Sequence, residues 1–239
     1  REALYNGRAI GPAQQIQLPR ESVTSVHGLM VDLDAYLLKP NSWFPPAATA
    51  EDFFRGISPV LERHPILRYA EIRNTGHWLH ALVRFSEAIE LYSASDQQHW
   101  IGVHKLLMGS VPCDHAAPVL IGLTRPIGSI NGKTGGVVST IRPGTPITGA
   151  MMEEWAAEVA KKPFETIGLA LFGVRRIMPC PFCSESGSYL DLGDHFGYCY
   201  GRCRRVPLNR ILEPFLGGKS SLVPKTKKQR LAAAESPAA

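Results

Sequence analysis

The sequence predicts an α+β fold with mixed sheets and flanking helices, followed by a small cysteine-bearing module. Short apolar runs typical of buried strands alternate along the chain with amphipathic helical stripes, and no internal repeat is present. The chain has 239 residues, of which 44% are hydrophobic, so it can bury a core of ordinary size. Four of the five cysteines lie between residues 180 and 203, which sets the C-terminal end apart from the rest.

The first long predicted strand covers residues 26–35 and carries two carboxylates at its end, on Asp32 and Asp34. Residues two apart on a strand point to the same face, so these two side chains lie close together. Carboxylates are the ligands that hard divalent cations prefer, and a bound cation would offset the repulsion between them. The alternative interpretation is a strand that simply ends in a polar loop.

Helix and strand patterns follow in alternation. Thr49 is predicted to cap a helix that ends near Pro65, since Thr49 precedes two acidic residues and an apolar stripe. Ser95 or Asp96 is predicted to cap the next helix. The predicted elements after the first helix are strands at residues 67–72, 79–85, 119–123 and 137–141 and helices at residues 95–108 and 147–162.

Three further segments place polar side chains beside these apolar runs. His77 and His80 follow Gly76, where a histidine could contact a phosphate or a metal, or could lie unliganded at a strand edge. Asp114 offers a third carboxylate or belongs to a polar loop. Residues 125–136 contain four glycines together with Arg125 and Lys133, a combination that suits phosphate binding but does not match the P-loop spacing.

The order of these segments resembles the archaeo-eukaryotic primase superfamily, in particular the primase-polymerases of plasmids, phages and other replicons. In that family a strand ending in D-x-D or D-x-E precedes a strand with a small-x-His pattern, then a lone Asp and an R-x-P-G-[ST]-x-N-x-K-like stretch. Trp78 stands where the family often has Ser, so His77 is a rival to His80. The resemblance covers roughly residues 25–140 and rests on Asp32, Asp34, His80, Asp114, Arg125, Gly128, Ser129, Asn131 and Lys133.

This resemblance implies a nucleotidyltransferase that makes primers on a single-stranded DNA template from nucleoside triphosphates, as part of the replication of a mobile element, phage or plasmid. Two Mg²⁺ or Mn²⁺ ions would be held by Asp32, Asp34 and Asp114, and His80 would contact the phosphates of the incoming nucleotide. The sequence has no ATPase P-loop, so we expect a helicase on another chain. The implied nucleotide-binding residues are Arg125, Ser129, Asn131 and Lys133.

The cysteine cluster predicts one structural Zn²⁺. Cys180, Cys183, Cys199 and Cys203 form the pattern C-x₂-C-x₁₅-C-x₃-C, in which two knuckles complete a tetrahedral site. His195 is an alternative ligand for one of the four positions. Between the knuckles, alternating apolar residues predict one face of a β-hairpin. They are Leu190, Leu192, Phe196 and Tyr198. The segment resembles zinc ribbons, including those attached to primases.

The positive charge of the chain is concentrated at its C-terminal end. From residue 202 onward there are nine basic and two acidic residues, a net charge of +7, which leaves −2 on the first 201 residues of a chain whose total is +5. Such a segment is typical of polyanion binding, and equally of a solvated tail. The predicted nucleic-acid contacts are Arg202, Arg204, Arg205 and Arg210.

The predicted organisation is a catalytic domain over residues 1–145, a connecting helix and linker over 146–175, a zinc ribbon over 176–215 and a basic, mostly disordered tail over 216–239. No apolar run approaches the roughly 18 residues of a membrane span, so a cytoplasmic location, or one on replicating DNA, is expected, without a membrane partner. The alternative function is non-catalytic binding of single-stranded nucleic acid by the ribbon and tail. A nuclease that uses the same carboxylates is a third possibility.

Overall fold

The computed structural model describes residues 4–5, 8–9, 23–33, 49–76, 78–111, 113–114, 117, 119–120, 124–183 and 185–208. Asp34, His77, Arg210 and the predicted tail lie outside the described residues. The helices and strands are β1 (Leu4–Tyr5), β2 (Arg8–Ala9), β3 (Ser25–Leu33), α1 (Ala50–Arg63), β4 (Glu71–Asn74), β5 (Leu79–Glu90), α2 (Ala94–Gly109), β6 (Ser139–Arg142), α3 (Gly149–Lys161), α4 (Pro163–Phe172), β7 (Arg176–Ile177), β8 (Leu190–Leu192), β9 (Phe196–Cys199) and β10 (Arg204–Pro207).

Two four-stranded sheets and four helices make up most of the described chain, in agreement with the α+β class. The larger sheet has the strand order β3-β5-β4-β6, the smaller one β10-β9-β8-β7, and β1 pairs with β2. All of these pairs are antiparallel, so the mixed sheets expected from the sequence are not seen among the described strands. A parallel contact occurs as an isolated bridge between Phe85 and Ile147.

The larger sheet is apolar on one face and polar on the other. On β3, Leu29, Val31 and Leu33 are at most 3% exposed, and they join the core together with the apolar residues of the helices. The helix α2 packs on β3 and α3 packs on β5. Asp32, being out of phase with these residues, lies on the opposite face. The helices therefore cover one face of the sheet, and the candidate site lies on the other.

The helix α1 begins where the sequence predicts. The Thr49 hydroxyl accepts a hydrogen bond from the Asp52 N–H at 3.0 Å, which satisfies one of the donors left unpaired at the helix start. Phe53, Ile57 and Leu61 form its buried stripe. The helix ends at Arg63, two residues before a proline, as expected.

Three predicted elements differ from the structure. The predicted strand at 67–72 is a 3₁₀ turn over Leu67–Tyr69 followed by β4, because the His64 ring accepts from the Ile66 and Leu67 N–H groups and extends the helix end. The helix α2 is capped by Ser93, whose hydroxyl accepts from the Asp96 N–H at 3.1 Å, rather than by Ser95 or Asp96. Val119 and Leu120, predicted as a strand start, lie in a turn; residues 121–123 are outside the described chain.

Two helices, not one, occupy the predicted connecting segment. Thr148 caps α3, and α4 follows after Lys162 with Pro163 at its first position. The helix α4 packs against α1 and α3, and also against β8 and β9. Arg63 at the end of α1 donates to the Ala170 and Leu171 carbonyls at 3.0 and 2.6 Å, which caps the end of α4. The domain boundaries at 145 and 175 stay a prediction.

The smaller sheet packs one face on α4 and leaves the other exposed. The register places Leu190 opposite Cys199 and Leu192 opposite Gly197, and these positions face inward. A Cβ at Gly197 would lie 2.6 Å from the Phe164 ring, so the strand approaches α4 closely. Phe196 and Tyr198 are 37% and 39% exposed on the other face. The prediction that they share a face with Leu190 and Leu192 is therefore wrong, because the β8–β9 turn changes the phase of the alternation.

Among the described residues, none of the helices is both long and apolar enough to span a membrane.

Candidate functional site

A row of polar side chains crosses the open face of the larger sheet. Asp32 on β3 is paired with His80 on β5, which is paired with Arg73 on β4, which is paired with Thr140 on β6. Paired residues of adjacent antiparallel strands point to the same face. Side chains from four strands, over 100 residues apart in sequence at the extremes, therefore share one surface.

His80 is held in a defined position at the centre of this row. It is 8% exposed, and its Nδ1 lies 3.0 Å from the Thr124 hydroxyl. Burial is the main cause that lowers its pKa to about 4, and the positive charges of Arg125 and Arg73 contribute to that value. The ring is therefore neutral at pH 7. Its Nε2 lies 3.7 Å from Asp32 Oδ1, which is a polar contact rather than an ion pair.

Asp114 lies beside the end of β3. Its N–H donates to the Asp32 carbonyl at 2.8 Å, so the two residues are neighbours across the backbone. Both side chains are half-buried. Carboxylates on two such neighbouring residues are donors of the kind that Mg²⁺ or Mn²⁺ prefers. Of the three predicted metal ligands, the structure thus brings Asp32 and Asp114 together, and Asp34 is not described.

A buried charge network on the same face was not predicted. Glu71 is 5% exposed and accepts from Arg73 Nε at 2.5 Å, with Arg84 Nη2 at 3.7 Å and the Thr140 hydroxyl at 3.4 Å. The hydrogen bond from Arg73 is the main cause that holds the pKa of Glu71 below its usual range, against the opposing effect of burial. The opposite charges of Glu71 and Arg73, two residues apart, are the signal in the sequence that could have indicated this ion pair. The pair is missed because the predicted strand over residues 67–72 ends between the two residues.

The glycine-containing segment 125–136 is fastened to the β4–β5 turn. Asn131 is 3% exposed, donates to the Thr75 carbonyl at 3.0 Å and accepts from the Lys133 N–H at 3.0 Å. The Thr134 hydroxyl donates to the Gly76 carbonyl. Gly76 has φ +79°, and a Cβ there would lie 2.5 Å from the Gly136 carbonyl oxygen, so only glycine fits. The Asn131 side chain is thus engaged in holding this segment in place.

The other three predicted nucleotide-binding residues lie along the same segment. Arg125 is half-buried, its carbonyl accepts from Arg73 Nη1 at 3.4 Å, and its charge acts on His80. Ser129 donates to the Pro126 carbonyl at 2.7 Å. Lys133 is exposed. Arg125 is therefore the residue of this group whose charge reaches the row of polar side chains.

The four clustered cysteines form a compact group in the smaller sheet. All four Sγ atoms lie within 4.8 Å of one another, and Cys183 Sγ lies 3.8 Å from Cys199 Sγ. Tetrahedral Zn²⁺ with Zn–S bonds of about 2.3 Å requires sulfur–sulfur distances of roughly 3.8 Å, so the group fits this ion. His195 is exposed in the β8–β9 turn and lies outside this group among the described residues.

The environments of the two thiols in the first knuckle differ. Burial raises the pKa of Cys180 to about 12, whereas the Glu185 N–H is the main cause that lowers the pKa of Cys183 to about 6. Ser188, which sequence reasoning missed, is 2% exposed and links the knuckles. Its carbonyl accepts from the Cys180 N–H at 3.1 Å, and a Cβ at Gly201 would lie 2.6 Å from the Ser188 side chain.

The exposed face of the smaller sheet carries aromatic rings and arginines, which we call the outer ribbon face. Tyr189 and Tyr200 stack with ring centroids 4.4 Å apart, and Tyr198 meets Tyr200 edge to face at 4.9 Å. Arg205, paired with Tyr198 in register, lies 4.0 Å from the Phe196 ring centroid. Three of the four predicted nucleic-acid contacts are described, and all three are exposed: Arg202, Arg204 and Arg205.

No protein-family model matches this sequence. No curated protein matches it either. Among solved structures, the AEP domain of the primase-polymerase of cyanophage S-2L is similar, with a TM-score of 0.40 and 14% sequence identity. The similar region covers 57% of this chain and 63% of that domain, so the chain spans less than two thirds of the length of the structure it matches.

Proposed function

We propose that this chain is a template-dependent primase-polymerase that makes nucleic-acid primers from nucleoside triphosphates. The observation that supports this most is the convergence of four ordered sequence motifs. Asp32 lies next to His80 through its carboxylate and next to Asp114 through its backbone, and the charge of Arg125 acts on His80. These residues are far apart in sequence, so their nearness depends on the fold.

In the proposed reaction, Asp32, Asp34 and Asp114 would hold Mg²⁺ or Mn²⁺. Two such ions would neutralise triphosphate charge and make the attacking 3′-hydroxyl more nucleophilic. The partly buried position of Asp32 and Asp114 strengthens their interaction with a cation, since solvent screens it less than at the surface.

The remaining site residues would bind and orient the nucleotide. His80, neutral at pH 7, would donate a hydrogen bond from one ring N–H to a phosphate oxygen without adding a charge. Arg125 and Lys133 would offset phosphate charge, and Ser129 would contribute a hydroxyl. Asn131 would act indirectly, by fixing the backbone of the segment that presents them.

The ribbon would hold one structural Zn²⁺ through its four cysteines and contact the template through Arg202, Arg204, Arg205 and Arg210. The single-stranded DNA template would be exposed by a helicase on another chain. The proposed setting is the replication of a mobile element, phage or plasmid, with the protein in the cytoplasm or on the replicating DNA.

The test is de novo primer synthesis on single-stranded DNA with Mn²⁺, comparing the wild type with Asp32→Ala and Asp34→Ala. Each variant should lose about 100-fold or more of the activity, because metal stabilisation of the transition state is worth several kcal/mol. Glu154→Ala, which removes an exposed carboxylate on α3, is the control and should keep full activity. Unchanged synthesis by Asp32→Ala would refute the metal assignment, and shortened rather than lengthened strands would indicate a nuclease.

A second candidate function, non-catalytic binding of single-stranded nucleic acid, is favoured by the outer ribbon face. Exposed rings beside arginines suit a strand whose bases stack and whose phosphates pair with cations. Tyr198 and Tyr200 are 39% and 54% exposed, and Arg205 is exposed beside them. A wild type that binds single strands but incorporates no nucleotide with any divalent metal would support this function over the first.

Binding of an abasic oligonucleotide distinguishes the contribution of base stacking from that of phosphate charge on the outer ribbon face. Tyr198→Leu should weaken binding of a base-containing strand by roughly 5- to 150-fold, since stacking is worth about 1–3 kcal/mol per base. It should leave binding of an abasic strand of equal length unchanged, whereas Arg205→Gln should weaken both. Tyr92→Leu, which removes a tyrosine that is 89% exposed outside the ribbon, is the control.

A further inference from the structure

His104 on α2 is a buried residue that joins two segments of the candidate metal site. It is 1% exposed, and both of its ring nitrogens are hydrogen-bonded to backbone. The Leu120 N–H donates to Nδ1 at 3.1 Å, so Nδ1 carries the lone pair. The proton is therefore on Nε2, which donates to the Met30 carbonyl at 2.7 Å. Burial lowers the pKa of His104, against the opposing effect of this bond, in keeping with a neutral ring.

The two backbone partners of His104 belong to the segments that carry the aspartates. Met30 lies on β3 two residues before Asp32, and Leu120 lies six residues after Asp114. Leu120 has φ +64°, a left-handed conformation that is unfavourable for a leucine and persists where surrounding contacts impose it. The hydrogen bond from its N–H to His104 is one such contact.

A second link acts on the other side of Asp114. The Cys113 thiol, fully buried, donates to the Met108 carbonyl near the end of α2 at 2.9 Å. Together with the bond from the Asp114 N–H to the Asp32 carbonyl, these contacts tie Asp114 to both α2 and β3. The helix α2 is thus bonded to the chain on both sides of Asp114, at Cys113 and at Leu120.

We propose that His104 is a positioning residue that holds Asp114 beside Asp32 and thereby sets the affinity of the site for a divalent cation. This rests on the proposed function in that both aspartates are taken as metal ligands. His104 contacts neither the ion nor the nucleotide; it acts through the Leu120 and Met30 backbone. Residues that orient metal ligands typically change metal affinity by 10- to 100-fold when they are replaced.

The test measures Mn²⁺ binding to the full chain by electron paramagnetic resonance, so it does not depend on catalysis. His104→Leu should weaken Mn²⁺ binding about 10-fold or more. His104→Asn, whose amide oxygen can accept from the Leu120 N–H where Nδ1 does, should recover most of the affinity. Ile167→Ala is the control, because Ile167 is also 1% exposed but lies on α4, which packs against α1, α3, β8 and β9.

Thermal unfolding of all three variants separates positioning from stability. We expect His104→Leu and Ile167→Ala both to lose thermal stability, while only His104→Leu loses Mn²⁺ affinity. Equal loss of affinity in both, wild-type affinity in His104→Leu, or a wild type that binds no Mn²⁺ at Asp32 would each overturn the proposal. A wild type that binds Mn²⁺ but makes no primer would refute nucleotidyl transfer and leave the role of His104 intact.

Discussion

The buried His64 makes the stability of this protein sensitive to mild acid. Its Nδ1 accepts from the Ile66 and Leu67 N–H groups at 3.1 Å, and its Nε2 lies 2.9 Å from the Ser110 hydroxyl. The Ser110 hydroxyl itself donates to the Leu107 carbonyl, so the histidine proton is on Nε2. A second proton on Nδ1 would break two backbone hydrogen bonds in a site without water access, and burial lowers the pKa of His64 to about 3.

The size of the effect follows from the difference between the folded and unfolded pKa values. Below the unfolded value of 6.5, the unfolded chain binds a proton that the folded chain does not, so the free energy of unfolding falls as the pH falls. Between pH 6.5 and pH 4.5 the loss is about 2.3 kcal/mol, because the slope rises from half of 1.36 kcal/mol per pH unit at pH 6.5 to nearly the full value below pH 5.5. That is a large part of the total stability of a typical domain, about 5–15 kcal/mol.

The assay compares the wild type with His64→Asn by urea denaturation at pH 7.5, 6.5, 5.5 and 4.5. Asparagine can accept from the same N–H groups but does not titrate, so the variant should lack this acid-dependent loss. Its stability relative to the wild type should improve by about 2.3 kcal/mol between pH 6.5 and 4.5. His195→Asn, an exposed histidine, is the control. Parallel curves for wild type and His64→Asn would refute the assignment of a neutral buried ring.

Three further predictions concern the ribbon and the open sheet face. Cys183→Ser should lower the zinc content below one per chain by plasma mass spectrometry, whereas Cys113→Ser, outside the cysteine cluster, should retain it. Gly76→Ala should destabilise the chain by about 1–3 kcal/mol in urea melts, because Gly76 has a positive φ and lies against Gly136. Gly102→Ala, at an exposed helix position with open space, should instead stabilise the chain by up to about 1 kcal/mol. Equal effects of the two substitutions would contradict this explanation. Glu71→Gln should cost about 3 kcal/mol, because Arg73 loses its buried carboxylate, and exposed Glu87→Gln should be neutral in the same melts.

Local patterns in the sequence were sufficient to predict those elements whose structure depends mainly on residues close together in the chain. Thr49 and the apolar stripe after it predicted α1, and the cysteine spacing predicted a cluster that is present. The α4 helix was missed because Pro163 follows the third helical pattern directly, and a proline there reads as a helix end as readily as a helix start. The sequence also did not show that Leu192 and Phe196 lie on opposite faces of the sheet. The geometry of the turn between two strands decides which residues of the second strand share a face with the first.

Contacts between distant segments could not be predicted from spacing. Nothing near Asn131 in the sequence indicates that its amide binds the Thr75 carbonyl, more than fifty residues earlier. The same holds for His104, which lies in a helix of ordinary composition and whose partners are set by how α2 packs on β3. Motif order identified the side chains of the candidate site, whereas the residues that hold those side chains in place required the tertiary structure.

The polar residues on the open face of the larger sheet follow an order across the strands that matters for the proposed reaction. Asp32 and Asp114 stand at one edge, His80 is in the middle, and Arg73 with the Arg125 backbone lies beyond it. Adjacent strands are about 4.8 Å apart, so Asp32 and Arg73 are separated by roughly 10 Å across the sheet. A metal-bound triphosphate requires anions at the metal end and cations along the phosphates, in that order. Because Glu71 already neutralises Arg73, the cation that would face the phosphates in the proposed reaction is Arg125. We therefore expect Arg125→Gln to weaken nucleotide binding more than Arg73→Gln.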